Sequence, residues 1–478
     1  MLISDGMSMG TLTCADQFHQ LQHQSPLAWM RLVQNPAARM GLMNTRSLNS
    51  LVTDSAAASS AWGSGSRVVN GVINMLPSGE KLTPLYALMN SAGWRTGLVT
   101  TAEITHATPA GFATTSDTRG NAELIAVQYL ERKIDILLGG GRTYFSPNHR
   151  SDKRDLRAEF KSAGYSVVLD KKSLLSAPTA TKILGTFAYG HLPYTIDQPK
   201  NVTGDDQPPT IAELTHAALQ RLENTEKFCL QIEGARIDHA AHNSDAAAAI
   251  HEQIALDAAL EQCLAFQQKH PDTLLLVTTD HGNSNLGLNG MGTAYNASSP
   301  SFKNLSHVTL SHPEILARIE KAGTITPPPT SHNSSRARDN LTAATTMPTA
   351  IQIAPAVLAE IVAECTGFRM PEDKSRHFAR VLAGEAPPQL FDSMNSVVTQ
   401  LGQLMANYLG IGWTGNTHTA DYVPLIAIGP GSEHFTGFYD NTAVFRHLTN
   451  LAGIDFQNPS APLMAESGPT AHEVESIA

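Results

Sequence analysis

Cysteine is scarce in this sequence: four occur among 478 residues, Cys14, Cys229, Cys263 and Cys365. None stands in a Cys-x-x-Cys pair, so neither a cysteine zinc site nor a thioredoxin-like motif is indicated. Disulfide pairing and free thiols both stay open. Cys229 in "FCLQI" and Cys263 on an apolar helix face are expected to act as buried small hydrophobes. Long apolar runs are missing too. No stretch reaches the ~18 residues that a membrane span needs. Positive charge is short: the net charge is −10, without a long basic run. That speaks against nucleic acid or an anionic membrane as a partner. The opening "MLISDGMSMG" has no charged leader followed by an apolar core, so no signal peptide is visible. Either the protein is not exported or a leader lies outside this sequence.

What is present fits a soluble globular protein, with 42% hydrophobic and 16% charged residues. The length suggests two or three domains. Short apolar runs recur at 1–4, 96–101, 134–139, 165–169, 228–232, 273–279 and 423–428. Most are apolar throughout rather than alternating, a pattern that suits strands buried on both faces of a mainly parallel sheet. Helical patterns lie between them; in 246–267 the residues Ile250, Ile254, Leu256, Leu260, Cys263 and Leu264 recur at near-helical spacing. The expected fold is α/β: a doubly wound, mainly parallel central sheet with helices on both faces. Such sheets bind ligands at the carboxyl ends of their strands.

Residues 283–410 break the rhythm. The segment 324–340 reads as a loop, and 389–409 as a helix with Leu390, Met394, Val397, Leu401, Leu404 and Tyr408 on one stripe. We read residues 1–282 and 411–458 as the core, 283–410 as an inserted cap that is helical in part, and 459–478 as a weakly structured tail. The alternative for 283–410 is an ordinary extension of a core layer.

Polar groups gather just after the strands. Asp5 follows "LIS"; Asp54 and Ser55 follow "LVT"; Thr108 and Arg119 lie in "ITHATPAGFATTSDTRG". Glu233, Asp238 and His242 lie in "IEGARIDHAAH", Asp280 and His281 follow "LLLVTT", and His418 lies in "GNTHTADYVPL". Singly, each has an ordinary explanation. Asp54 and Ser55 cap a helix as well as any pair, because their oxygens satisfy orphan N–H groups. Asp238 and His242 are four apart, which suits a helix-surface pair. Jointly they make a balanced ligand set. Imidazole with carboxylate suits zinc; all-oxygen sets with a hydroxyl suit magnesium. Asp280 and His281 would point to opposite faces of a regular strand, so both reach one ion only where the strand has ended.

"LISDGMSMG", "TDSAAASSAW", "THATPAGFATTSDTRG", "EGARIDHAAH", "VTTDHGN" and "GNTHTADY", in this order, resemble the alkaline phosphatase family over most of 1–282 and 415–450. The resemblance implies hydrolysis of small phosphate monoesters through a phosphoserine on Ser55, with Arg119 gripping phosphate oxygens and Asp54 orienting Arg119. It implies two Zn2+ ions, one on Asp238, His242 and His418 and one on Asp5, Asp280 and His281. It implies one Mg2+ on Asp5, Thr108 and Glu233. His106 and His239 would stand behind these ligands, in the pattern of animal-type enzymes. With three divalent ions the pocket would carry about +2 in an acidic protein. The family resemblance further implies a periplasmic or secreted location and a homodimer. "DHGN" and "HTADYVP" also resemble cofactor-independent phosphoglycerate mutases, so a mutase-like or phosphodiesterase reaction is the rival. A silent zinc-binding scaffold is a weaker one, since Ser55 and Arg119 are both present.

Overall fold

Strand β1 is only Leu2–Ile3, yet both residues are fully buried, because it lies between two longer neighbours in a ten-stranded sheet. The others are β2 (Arg39–Asn44), β3 (Arg95–Glu103), β4 (Ile136–Gly140), β5 (Ser166–Val168), β6 (Ile183–Thr186) and β7 (Phe228–Glu233). They continue with β8 (Leu275–Thr278), β9 (Val423–Ile428) and β10 (Gly437–Asp440). The order across the sheet is β10-β2-β9-β8-β1-β7-β3-β4-β6-β5. The computed structural model describes residues 1–198, 207–290, 292, 294–326, 350–385 and 394–464.

β9 runs antiparallel to both neighbours, β8 and β2, while the other pairings are parallel. Nine strands therefore end at one edge, and β9 begins there. That reversal carries residues preceding β9 to the edge where the other strands deliver theirs.

Alternation along the strands feeds two apolar layers. Leu2, Val99, Leu138, Ile232 and Val277 pack with helices Met9–His23 and Ala246–Lys269. Ile3, Leu98, Leu137, Leu276 and Leu425 pack on the other side, with helices Ser55–Ser64 and Ala107–Ala113. A two-layered core about one sheet is the expected arrangement, and the period of two sorts the side chains. Among the described residues of 283–410, none joins the ten-stranded sheet. Helices His312–Ala322, Pro355–Thr366, Glu372–Leu382 and Val397–Leu409 stand there instead. Ile315, Leu358, Phe378 and Leu401 extend the same apolar cluster as Leu2. Two aspartates from the sheet layers fasten the first of these helices. The Ser311 N–H donates to Asp197 Oδ1 at 2.7 Å, and the His312 N–H to Asp245 Oδ2 at 2.6 Å.

All seven expected apolar runs are strands. β2, β6 and β10 are strands beyond those seven runs: β2 has exposed Met40 and Leu42, and β10 opens on Gly437. The helix expected at 389–409 begins at Val397, with Ser396 as its cap; Leu390 lies outside the described residues, as do most of the 324–340 loop and 465–478 of the tail. All four cysteines are free thiols, and Cys229 is only partly buried.

Candidate functional site

Asp54 caps the helix Ser55–Ser64: its Oδ1 accepts the Ala57 N–H at 2.9 Å. Its other oxygen accepts from the Gly71 N–H at 2.9 Å and from Arg119 Nη1 at 3.0 Å. One carboxylate thus fixes the helix start and aims a guanidinium. Ser55 is the first helical residue and is 1% exposed. The backbone donors of the first turn and the helix dipole favour an anion there.

This helix is buried along all ten residues, which explains its run of Ala, Ser and Gly. It lies against Ala107–Ala113 so closely that a Cβ on Gly63 would stand 1.9 Å from the Gly111 carbonyl oxygen. Ser59 Oγ donates to the Thr108 carbonyl at 2.6 Å, locking the two helices together. The contact sets Thr108 relative to Ser55.

Acids arrive from the strand ends. Glu233 ends β7 in register with Ile3, and Asp5 and Asp280 follow β1 and β8 by two residues each. β8 ends at Thr278, so Asp280 and His281 are free of strand alternation. Asp5, Glu233, Asp280 and Asp238 are all at most 4% exposed. Both Asp5 oxygens, Glu233 Oε1, Asp280 Oδ2 and Thr108 Oγ1 are buried without a hydrogen-bond partner. Burial, then the charge of Asp280, pushes the Asp5 carboxyl far above the usual carboxylate range. Burial likewise raises Glu233 to about 7 and Asp280 to about 6. Buried acids with unspent lone pairs are tolerated where cations satisfy them.

The imidazoles turn one nitrogen to backbone and the other inward. His242 Nδ1 lies 2.7 Å from the Asn416 carbonyl, and His418 Nδ1 lies 2.8 Å from the Thr53 carbonyl. Each Nδ1–H donates outward, leaving Nε2 with its lone pair toward Asp238, at 3.3 and 3.5 Å. Such outer contacts fix the tautomer that a metal ligand needs. His281 Nε2 lies 3.2 Å from Asp280 Oδ2, 3.7 Å from Asp5 Oδ1 and 3.3 Å from Ser55 Oγ. The ring of His281 stacks on that of His418 with centroids 3.6 Å apart. Three groups bring possible ligand atoms within 4.8 Å of one another: Asp238, His281 and His418; Asp5, Asp280 and His281; and Asp5, His106 and Glu233.

The structure gathers the residues named from the sequence, with two differences from the expected sets. His281 belongs to two groups, and His106 falls within ligand distance of Asp5 and Glu233 as well as 3.2 Å from Arg119 Nη2. His239 stands beside it, with ring centroids 5.5 Å apart. Three further residues were not singled out. Asn283 Nδ2 donates to Asp238 Oδ1 at 2.6 Å. Arg236 Nη1 lies 2.8 Å from His239 Nδ1, and the His191 ring lies 4.5 Å from that of His239. Arg236 and Asn283 sit inside or beside the quoted motifs; His191 lies in "GHLPY", where nothing in the pattern marks it.

A family model described as "Alkaline phosphatase" matches residues 1–309. Alkaline phosphatase 4 of Bacillus subtilis (strain 168) is 31% identical over 400 residues, covering 82% of this chain and 74% of that protein. The crystal structure of Thermus thermophilus alkaline phosphatase is 32% identical and superposes with a TM-score of 0.83, covering 100% of this chain and 94% of that one. The cold-active alkaline phosphatase from Shewanella sp. superposes with a TM-score of 0.73 at 26% identity, covering 94% and 98%.

Proposed function

The chain belongs to the alkaline phosphatase family and is a metal-dependent phosphomonoesterase, and we infer that it works through a phosphoserine on Ser55. The observation that carries this reading is the gathering of four buried carboxylates, three of them (Asp5, Glu233 and Asp280) with unspent oxygens, beside one serine at a helix start.

The donor set fits the implied ions. Asp238, His242 and His418 would hold one Zn2+; Asp5, Asp280 and His281 would hold the other; Asp5, Thr108 and Glu233 would hold Mg2+. When bound, the ions supply Lewis-acid stabilisation of oxygen anions at the serine, the phosphoryl group and the departing alcohol. His281 serves both zinc-ligand groups by position, and His106 is close enough to add to the magnesium set.

The chain's own groups account for the rest. Arg119 presents a planar fork to two phosphate oxygens, and Asp54 holds that fork in place. The first-turn N–H groups after Ser55 add donors for the same anion. Ser55 Oγ attacks phosphorus in line with the departing alkoxide: the serine O–P bond forms as the ester P–O bond breaks. Water then attacks from the face the alcohol left, breaking the serine ester. Two in-line steps give net retention at phosphorus.

The test uses p-nitrophenyl phosphate at alkaline pH, a chelator, and re-addition of zinc with magnesium. Activity should vanish and return, and acid quenching should trap phosphate on the Ser55 peptide. Chelator-resistant turnover would falsify the reading. Elemental analysis decides the metal identities. A homodimer and a periplasmic or secreted location belong to the same proposal. The exposed Met40, Leu42 and Phe438 on β2 and β10 offer an apolar surface for the dimer. Sedimentation equilibrium and cell fractionation check these two points.

A further inference from the structure

One wall of the site carries cations and imidazoles, of which the reaction above uses Arg119 and, beside the magnesium set, His106. His106, Arg119, His191, Arg236 and His239 are each partly exposed, although Thr105, Thr108 and Asp238 around them are buried. Contacts run in sequence along the wall. Arg119 Nη2 lies 3.2 Å from His106 Nε2, the His106 and His239 rings are 5.5 Å apart, and Arg236 Nη1 lies 2.8 Å from His239 Nδ1. The guanidinium of Arg236 lies over the Tyr194 ring, its carbon 3.8 Å from the ring centroid. Its backbone N–H donates to Thr101 Oγ1 at 3.2 Å, which anchors the stem.

The two arginines differ in one respect. Arg119 has Asp54 as an ion-pair partner. Arg236 meets His239 and the face of Tyr194, and among the described residues no carboxylate forms an ion pair with it. The imidazoles between them do not supply the missing anion. A guanidinium braced against an aromatic ring, partly exposed and with no carboxylate in ion-pair contact among the described residues, is prepared for an oxyanion from outside.

We propose that Arg236, braced by Tyr194 and His239, forms a second anion subsite that selects phosphate monoesters whose alcohol carries a further carboxylate or phosphate group. This rests on the phosphatase reading of the site: Arg119 takes the phosphoryl group that is transferred, and Arg236 takes the charge that leaves with the alcohol.

The experiment compares two esters of matched length, butyl phosphate and 4-phosphooxybutyrate, on the metal-loaded protein. The carboxylated ester should have a kcat/KM about tenfold higher, mostly through KM, as expected for one charge-assisted contact. Arg236→Met keeps the stem against Tyr194 and should bring the ratio close to one; Arg236→Lys should restore part of it. Inhibition constants of butylphosphonate and 4-phosphonobutyrate read the same contact without turnover. Equal values for both pairs in the wild type, or a ratio unmoved by Arg236→Met, overturn the subsite. If neither ester is hydrolysed, the phosphoserine reading fails, and the phosphonate ratio still judges Arg236.

Discussion

The Nε2 atoms of His242 and His418 face each other across 3.1 Å. Both rings spend their Nδ1–H on backbone carbonyls, so two lone pairs point at one another beside Asp238. Neutral nitrogens repel in that arrangement unless a cation lies between them or one is protonated. Asp238 favours the second when no metal is bound: burial opposes it, but Asp238 together with the Asn416 carbonyl raises His242. A divalent ion answers the same need permanently.

Replacing one of these rings should therefore cost metal before it costs fold. His418→Ala is expected to lose about one zinc equivalent per chain and 10-fold or more in zinc affinity. Elemental analysis after dialysis measures it. A full metal complement in the variant would remove His418 from the ligand set.

Ser55 has a separable role. Ser55→Ala should keep the metals and lose the phosphoenzyme, with kcat down by about 10³-fold or more. Rapid acid quench followed by mass spectrometry reads the phosphopeptide. Near-normal turnover without it would mean that another group accepts the phosphate.

The helix pair that carries Ser55 and Thr108 depends on two glycines. In Gly63→Ala the new methyl meets the Gly111 carbonyl at 1.9 Å, so one helix must move. Overpacking of this kind costs about 3 kcal/mol, and thermal melting of the metal-loaded protein should show it. An unshifted Tm would mean that the helices slide apart freely.

A pH effect is expected away from the metal ligands. Burial lifts the Asp197 carboxyl to about 6, against about 3.9 in an unfolded chain, although Ser311 donates to both its oxygens. Between these values the folded protein binds more protons at Asp197 than the unfolded one. This contribution to stability is therefore present below about pH 4 and is lost as pH rises through about 6. Asp197→Asn cannot ionise and should remove that slope, gaining on the wild type as pH rises from 4 to 6. Parallel stability curves for the two proteins over that range would contradict it.

Much of this was legible in the residues because buried parallel strands leave a strong mark. The seven apolar runs could hardly lie at a surface, and the acids that follow them fall where such sheets place ligands. β2, with Met40 and Leu42 exposed, and the glycine-led β10 carry no such mark. The segment 283–410 carries helical stripes but no sign of their attachment. The clamp of Asp197 and Asp245 on Ser311 and His312 joins residues 114 and 67 positions apart.

The linear order of residues settled which ligand types exist, where Ser55 starts its helix, and that Asp280 and His281 come after a strand. Those are local matters of spacing, capping and burial. Only the folded chain decided that His281 lies within reach of two clusters of acids and imidazoles, that His418 comes up against Asp238, and that Arg236 has no carboxylate in ion-pair contact among the described residues. The reason is topological: β9 runs against its neighbours, so a residue far along the chain is returned to the edge where the other strands end.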